Sequence, residues 1–204
     1  MDLQLLLERS SRQHSHLCPR QILGVRMGLA GMQALGLEPN GNGKRLLVIL
    51  ETDGCFADGV IAATGCTVGH RTLRVEDYGK AAASFVDTQT GRAVRVAPTL
   101  DIRQRAGACC PEEPRHYFAQ MQAYQTMPME EMFTVTEIDL TIPVEQIVSR
   151  PGLRVDCADC GEEIMNGREV MIDGRPFCRA CAGEAYYHPG QRALLSCELE
   201  EAAV

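Results

Sequence analysis

The residues best suited to metal binding or nucleophilic chemistry lie near the N-terminus, in the stretch His14-Ser-His16-Leu-Cys18-Pro19. Proline is favoured at the first position of a helix, so Cys18 is predicted to precede a helix directly. A helix N-terminus favours negative charge and therefore the thiolate form of a cysteine. Thiolate and neutral imidazole are ligands that zinc and other transition metals take. The alternative is a solvated turn with a half-buried cysteine, and the stretch alone does not decide between the two.

Two more cysteines could converge on this stretch. Cys55 follows a β-rich run, residues 45–50, and precedes a predicted helix, residues 58–63, whereas Cys66 lies in a loop punctuated by glycine. Asp58 could orient a histidine or take part in proton transfer. The alternative is that these cysteines are dispersed core residues, since free cysteine is among the most buried residue types. The candidate core metal site consists of His14, His16, Cys18, Cys55 and Cys66.

The strongest spacing signal lies near the C-terminus, where four cysteines form two pairs. Two residues separate the cysteines within each pair, and seventeen residues separate the pairs. This spacing is typical of a four-thiolate zinc site. A hairpin is predicted between the pairs and a helix, residues 180–187, from the second pair, which is the order of a treble-clef-like zinc finger. So small a module lacks a core of its own and needs the metal to fold. The predicted ligands of this structural zinc ion are Cys157, Cys160, Cys178 and Cys181.

The elements that must position these residues predict an α+β fold. Hydrophobic periodicity predicts helices over residues 2–13, from Pro19 to Leu37 and over 114–125, and strands over 45–50, 73–75, 83–87, 93–97 and 133–142. The adjacent Cys109 and Cys110 are predicted to lie in an exposed loop. We therefore expect a mostly antiparallel sheet packed with helices in residues 1–150, followed by the small zinc-finger module in residues 151–204.

The helix predicted from Pro19 to Leu37 is apolar over most of its circumference, which predicts burial on more than one side. Its small residues, Gly24, Gly28, Ala30 and Gly31, favour close approach of another backbone. That backbone belongs either to a second copy of the chain or to the core of the same chain. The first alternative predicts a homodimer.

Composition and charge narrow the class of protein. The 204 residues are 45% hydrophobic and 23% charged, as expected of a globular protein with a real core. No apolar run is long enough to span a membrane, and no secretory signal is recognised. Ten cysteines without such a signal indicate reduced thiols, so we expect a cytoplasmic protein. The net charge of −7 speaks against a nucleic-acid partner.

Several motifs then occur in order: His14-x-His16-Leu-Cys18-Pro19, Gly24-x-Arg26-Met27-Gly28, Glu51-Thr-Asp-Gly-Cys55 with Asp58, Thr64-Gly-Cys66-Thr-x-Gly69 and Asp77-x-Gly79-Lys80. Together they resemble the FmdE family, which takes its name from formylmethanofuran dehydrogenase, over nearly the whole chain, and a subset of that family carries a C-terminal zinc module. Two positions depart from the family: Ser15 and Arg20 stand where it usually has glycine. Neither departure removes a candidate ligand, but Arg20 could narrow a pocket or add a positive charge to it.

The resemblance implies an α+β core domain that dimerises and a pocket built from the His and Cys motifs. It also implies an association with molybdenum or tungsten enzyme systems. It does not imply that this chain carries the dehydrogenase reaction, because family membership alone does not settle function.

Three functions compete. The favoured one is a metal-binding accessory protein for a molybdenum- or tungsten-dependent oxidoreductase or its maturation system, with zinc in the C-terminal module and a second metal of unknown identity in the core site. The second is an enzyme that uses a cysteine nucleophile or an open zinc site in the same pocket. Its catalytic residues would be His16, Cys18, Cys55 and Asp58. The third is a zinc-finger regulator that binds a protein or nucleic acid.

Overall fold

The computed structural model describes residues 2–12, 16–38, 42–148 and 152–188. The chain forms two compact units, a core domain, Met1–Val148, and a C-terminal module, Ser149–Val204. Among the described residues, no helix has both the length and the apolar character needed to cross a membrane.

The core domain is built on a five-stranded sheet with the strand order β2-β1-β3-β4-β5. Its strands are β1 (Leu46–Leu50), β2 (Leu73–Val75), β3 (Ala83–Asp87), β4 (Ala93–Pro98) and β5 (Phe133–Glu137). The pair β1–β2 is parallel and the other pairs are antiparallel. The predicted α+β fold with a mostly antiparallel sheet is therefore confirmed.

Strand β5 is shorter than the predicted strand over residues 133–142. It ends at Glu137, and the chain then follows the second face of the sheet. Ile138 and Leu140 pack there against Leu47 and Val86. The alternation that predicted a longer strand thus continues as alternating burial against a sheet face.

The helices of the core domain are α1 (Leu3–Ser11), α2 (Pro19–Leu35), α3 (Cys55–Thr64), α4 (Ile102–Cys109) and α5 (His116–Thr126), with two short ones, α6 (Met129–Met132) and α7 (Val144–Ile147). Helix α4 was not predicted, because its apolar pattern is limited to Ile102 and Ala106, which are buried one turn apart. Cys109 consequently ends a helix, and Cys110 packs against the core.

Helix α2 is buried inside its own chain. It contacts α1, α3 and α5 on its sides and strands β3, β4 and β5 of the sheet. Ile22, Val25, Met27 and Met32 have no exposed surface. Within the described residues, the backbone that approaches this helix belongs to the core of the same chain. The apolar circumference of the helix is therefore no longer evidence for a homodimer.

Helices α2 and α3 approach each other at backbone distance. A Cβ atom added at Gly24 would lie 2.2 Å from the carbonyl oxygen of Phe56, and one added at Gly59 would lie 2.2 Å from that of Gln21. Only glycine fits both positions. This contact holds the N-terminal ends of the two helices side by side, and each of those ends carries a cysteine.

The C-terminal module consists of two hairpins and a helical turn. Strands β6 (Arg154–Asp156) and β7 (Glu163–Met165) form the first hairpin, β8 (Val170–Ile172) and β9 (Arg175–Phe177) the second, and the turn spans Ala180–Glu184. The second hairpin turns through Asp173 and Gly174, whose positive φ angles of 50° and 75° are those of a tight two-residue hairpin loop. The helical turn is shorter than predicted, since Gly183 has a φ of 94° and Ala185 is extended.

Candidate functional site

The thiols of Cys18 and Cys55 lie near each other at the packed N-terminal ends of α2 and α3, and after burial the Cys18 thiol is the next cause that raises the pKa of Cys55. Cys18 is buried and forms the N-cap of α2, while Cys55 is half-buried and is the first residue of α3. Both sulfurs therefore lie at a helix N-terminus, where the partial positive charge favours a thiolate. The structure brings together this part of the predicted core site.

Local hydrogen bonds fix the position of Cys18. Its backbone N–H donates to the side-chain oxygen of Gln21 at 2.9 Å, and the side-chain nitrogen of Gln21 donates to the carbonyl oxygen of Ser10 at 3.2 Å. Gln21 is fully buried, so the thiol is anchored to both α1 and α2. On the other helix, Gly54 precedes Cys55 with a φ of 72°, which allows the abrupt passage from β1 into α3.

The environment of Cys55 disfavours a free thiolate. Burial raises its pKa first, contact with Cys18 raises it further, and the negative charge of Asp58 acts in the same direction. Asp58 lies three residues further along α3, so it is one helical turn away. A divalent metal ion would balance the negative charge of two thiolates beside a carboxylate.

The histidines are less well defined. His16 is exposed two residues before Cys18, and His14 lies outside the described residues. Among the described residues, no set of three or more potential ligand atoms from this region lies within 4.8 Å of one another. A complete metal site at the pair Cys18–Cys55 therefore stays a prediction.

The inclusion of Cys66 in this site was wrong. Cys66 follows the opposite end of α3, and this helix of ten residues is about 15 Å long. Its sulfur lies 3.5 Å from the carbonyl oxygen of Leu46, as a donor to it, and its N–H donates to the Thr64 hydroxyl at 3.1 Å. The thiol is buried, which raises its pKa. Cys66 is thus a buried core residue, as the alternative interpretation held.

Other parts of the recognised motifs serve the scaffold. The Arg26 guanidinium donates to the carbonyl oxygens of Gln125 at 2.9 Å and Met127 at 2.5 Å and so caps the C-terminal end of α5. The N–H of Gly79 donates to the Asp77 carboxylate at 2.9 Å, which closes a tight turn after β2. These residues shape the domain and do not reach the thiol pair themselves.

A cavity of about 280 Å³ lies beside the thiol pair. The residue after each thiol, Pro19 and Phe56, lines its wall, together with Arg20, Leu23, Thr52, Gly79, Ala81, Pro98, Ile102, Arg103, Gln120 and Tyr124. Sequence reasoning missed Arg103 because it missed α4. The available signals were the buried pair Ile102 and Ala106 and the ion pair of Asp101 with Arg105, both spaced four residues apart.

The four cysteines of the C-terminal module form a second, closed cluster. Their sulfurs all lie within 4.8 Å of one another. A tetrahedron with zinc–sulfur bonds of about 2.3 Å has sulfur–sulfur edges of about 3.8 Å, and Cys160 and Cys178 are separated by 4.0 Å. The donor set and its size therefore fit a structural zinc ion bound by Cys157, Cys160, Cys178 and Cys181.

Backbone amides prepare this cluster for negative charge. The N–H of Cys178 donates to the sulfur of Cys157 at 3.2 Å, and that of Cys181 donates to the sulfur of Cys178 at 3.4 Å. Backbone N–H groups, first that of Cys178 and then that of Cys160, lower the pKa of Cys157 to about 6. Zinc binds thiolates, so the same N–H groups that stabilise a thiolate also support the metal.

Fold and sites together define an α+β metal-binding protein with a four-cysteine zinc finger. The family model described as "FmdE, Molybdenum formylmethanofuran dehydrogenase operon" matches residues 13–134, which is more than half of the chain. The chain therefore belongs to the FmdE family. The model of the prokaryotic dksA/traR C4-type zinc finger matches residues 151–187, which hold the closed cysteine cluster.

Two known proteins are similar to this chain. A probable S-adenosyl-L-methionine-binding protein of Archaeoglobus fulgidus is 31% identical over 205 residues, covering 90% of this chain and 54% of that protein. The chain thus spans about half the length of this curated relative. The crystal structure of a tungsten formylmethanofuran dehydrogenase FmdE-like protein from Syntrophus aciditrophicus has a TM-score of 0.60 at 21% identity and covers 92% of this chain and 96% of its own. The latter likeness shows the fold.

Proposed function

We propose that this chain is a cytoplasmic metal-binding accessory protein of a molybdenum- or tungsten-dependent oxidoreductase system. Its core domain binds a second, exchangeable metal ion through Cys18 and Cys55, with His16 and His14 as further ligands. The C-terminal module holds structural zinc and serves as the contact for a protein partner, either the oxidoreductase or a component of its maturation.

The observation that carries this proposal is the proximity of the Cys18 and Cys55 thiols at two helix N-termini that pack side by side. A pair of thiols leaves coordination positions open, whereas four thiolates close a zinc site. An open site suits the transfer or sensing of a metal, because another ligand can enter. The raised pKa of Cys55 counts against its use as a free thiolate nucleophile, which disfavours the metal-free enzyme alternative.

The surface of the module supports a protein partner. It exposes large apolar side chains, among them Met165, Met171, Ile172 and Tyr186. Methionine and tyrosine are enriched at protein interfaces. The net charge of −7 for the whole chain disfavours nucleic acid as the partner.

A homodimer remains part of the proposal, supported by the family resemblance and by a shallow groove beside β5. Strand β5 forms one edge of the sheet described above, and edge strands can pair with another chain. Val135 on this strand is 45% exposed, and Ala30, Ala34 and Phe133 line the same groove. The expected mass in solution is about twice the chain mass of 22.4 kDa, and light scattering that gives 22.4 kDa at every concentration would contradict the dimer.

The metal proposal is tested by titrating the full chain, with zinc retained in the module, with Co²⁺ under reducing conditions. We expect one additional ion per chain and a thiolate-to-cobalt absorption band. Cys18→Ser and Cys55→Ser should lose both, and Cys109→Ser is the matched control, since Cys109 is an exposed thiol at the end of α4. If Cys55→Ser binds as much cobalt as the unmodified chain, the core site does not exist.

The association with an oxidoreductase is tested in the source organism. Deletion of this protein should lower the molybdenum or tungsten content, or the activity, of one such enzyme, and reintroduction of the unmodified chain should restore it. Reintroduction of Cys55→Ser should fail. Unchanged metal content and activity of every molybdenum and tungsten enzyme in the deletion strain would rule out this part of the proposal.

A second candidate function follows from the Archaeoglobus relative, whose name gives S-adenosyl-L-methionine as its ligand. Identity of 31% over 205 residues makes this compound the first small molecule to test by calorimetry. Binding that survives Cys55→Ser would separate this function from metal binding.

A further inference from the structure

We propose that the cavity beside the thiol pair is a binding site for a small organic anion, whose carboxylate or phosphate group is held by Arg20 and Arg103. The cavity volume of about 280 Å³ is larger than a metal ion needs and lies near the lower limit for small-molecule sites. Leu23, Phe56 and Ile102 form an apolar part of the wall, which suits a ligand with an organic portion.

The charge of the cavity has one sign. Among the described residues, Arg20 and Arg103 are the charged residues that line it, and no carboxylate does. Within the described residues, neither guanidinium has an ion-pair or hydrogen-bond partner, whereas Arg45, Arg95, Arg105 and Arg154 each pair with a carboxylate. Two unpaired arginines around one cavity, in a chain of net charge −7, form a local positive site.

Arg20 lies at a position that is electrostatically unfavourable for a positive charge. It is the second residue of α2, where the helix dipole disfavours a positive charge. An anion in the cavity would be attracted both by the guanidinium and by the N-terminal end of the helix. The cost of placing Arg20 there is thereby offset when the ligand binds.

Tyr124 supplies an independent observation. It lines the same cavity and is only 3% exposed, yet its hydroxyl makes no hydrogen bond to any described residue. Among the described residues, the fully buried polar side-chain atoms without a partner are Ser10 Oγ and Arg26 Nε, so the Tyr124 hydroxyl is open to the cavity. Burial raises the pKa of Tyr124, and the positive charge of Arg103, which lines the same cavity, lowers it in part. A ligand oxygen between them would accept hydrogen bonds from both.

This inference goes beyond the proposed function, because it assigns a ligand class to a cavity that contains neither thiol. The cavity is related to the proposed metal site only by its location. Pro19 and Phe56 line its wall and directly follow Cys18 and Cys55 in the sequence. An anion held here would lie beside a metal bound by the pair.

The test is isothermal calorimetry on the full chain at low ionic strength, without added metal. Phenyl phosphate and benzoate are the anionic probes, inorganic phosphate lacks the apolar part, and benzyl alcohol lacks the charge. We expect one of the two aromatic anions to bind tightest, which identifies phosphate or carboxylate as the recognised group. Benzyl alcohol should bind at least about tenfold more weakly, because it cannot accept charge-assisted hydrogen bonds.

The variants identify the site. Arg20→Gln and Arg103→Gln should each weaken the better probe by about tenfold or more, and Tyr124→Phe by about threefold, as expected for the loss of a charged and a neutral hydrogen bond. Arg105→Gln, on the same helix as Arg103 but outside the cavity, should stay within about twofold.

The proposal is overturned if neither aromatic anion binds, if benzyl alcohol binds as tightly as the anions, or if Arg105→Gln weakens binding as much as Arg103→Gln. Since this titration uses no metal and the cobalt titration uses no anion, either result can fail without affecting the other.

Discussion

The two thiol sites of this chain are assembled in opposite ways. In the C-terminal module, two short Cys-x-x-Cys segments supply all four sulfurs, and N–H groups of the same segments donate to them. In the core domain, Cys18 and Cys55 meet because α2 and α3 pack through Gly24 and Gly59. We expect the first site to need its metal in order to fold, whereas the second is held in place by the packing of the core domain. Under the proposed function, the closed site holds a structural metal and the core pair an exchangeable one.

The largest loss of stability is expected when one zinc ligand of the C-terminal module is removed. Cys178→Ser removes one of four zinc ligands. Structural zinc contributes on the order of 10 kcal/mol to small fingers, and the module has few other buried residues. We expect residues 152–188 to lose zinc and protease resistance, while peptides from residues 16–148 keep theirs.

Zinc analysis and limited proteolysis of the full chain measure this outcome. Cys109→Ser is the control, because it removes an exposed thiol that is not part of the cluster. A Cys178→Ser protein with a full zinc content and an intact module would show that the module does not depend on the metal.

The same contrast explains how much could be predicted from the sequence. The ligands of the zinc module follow from local spacing, because each Cys-x-x-Cys pair brings its sulfurs together within one turn. The α+β fold follows from hydrophobic alternation in strands such as β3 and β4. Each of these signals lies within a short segment of the chain.

The core site depends on contacts between distant segments, and there the prediction was partly wrong. The glycines around Cys66 predict a loop that converges with Cys55, but the length of α3 separates the two residues. The spacing of small residues in α2 indicates close packing against another backbone. It does not show whether that backbone belongs to a second copy of the chain or to α3 of the same chain. Arg103 was missed because α4 has only two buried apolar residues, Ile102 and Ala106.

The next effect tests whether glycine packing positions the open site. Gly59→Ala would place a Cβ atom 2.2 Å from the Gln21 carbonyl oxygen, so α3 must move away from α2. We expect a loss of about 3 kcal/mol in the free energy of unfolding, at the upper end for overpacked cores, and weaker cobalt binding by Cys18 and Cys55. Gly107→Ala is the control: nothing lies within 4 Å of its Cβ position inside α4.

Urea unfolding followed by circular dichroism measures both variants. Gly107→Ala should be neutral or stabilising by up to about 1 kcal/mol, since alanine is the better helix former. Equal stability of Gly59→Ala and the unmodified chain would mean that the helices repack without cost, and the proposed origin of the thiol contact would then be wrong.

A smaller effect concerns an ion pair that stabilises the core domain. Arg45 donates to both carboxylate oxygens of Asp87, at 2.9 and 2.8 Å, and these bonds hold the pKa of Asp87 well below its usual range. A lowered pKa means that the stabilisation is present above the unfolded-state pKa of about 3.9 and is lost as the pH falls below it. Asp87→Asn should cost about 2 kcal/mol at neutral pH and make the stability of the domain less sensitive to acid.

Hydrogen exchange of core-domain peptides between pH 7 and pH 3, corrected for intrinsic rates, reports this difference without contribution from the module. Asp101→Asn is the control, because its partner Arg105 forms an exposed pair on α4. A loss of stability with acid that is as steep in Asp87→Asn as in the unmodified chain would assign the acid sensitivity to other groups.

The smallest change in stability should accompany the largest change in core-site function. Cys55 is half-buried at the first position of α3, where serine fits well, so Cys55→Ser should alter the free energy of unfolding by no more than about 0.5 kcal/mol. It nevertheless removes one of the two sulfurs and should abolish the additional cobalt ion. Cys66→Ala is the matched opposite: it deletes a buried sulfur and its contact with Leu46, which should cost about 1–2 kcal/mol and leave cobalt binding intact. If Cys66→Ala lost the ion and Cys55→Ser kept it, the functional thiols would lie at the far end of α3 and not, as proposed, where α2 and α3 begin together.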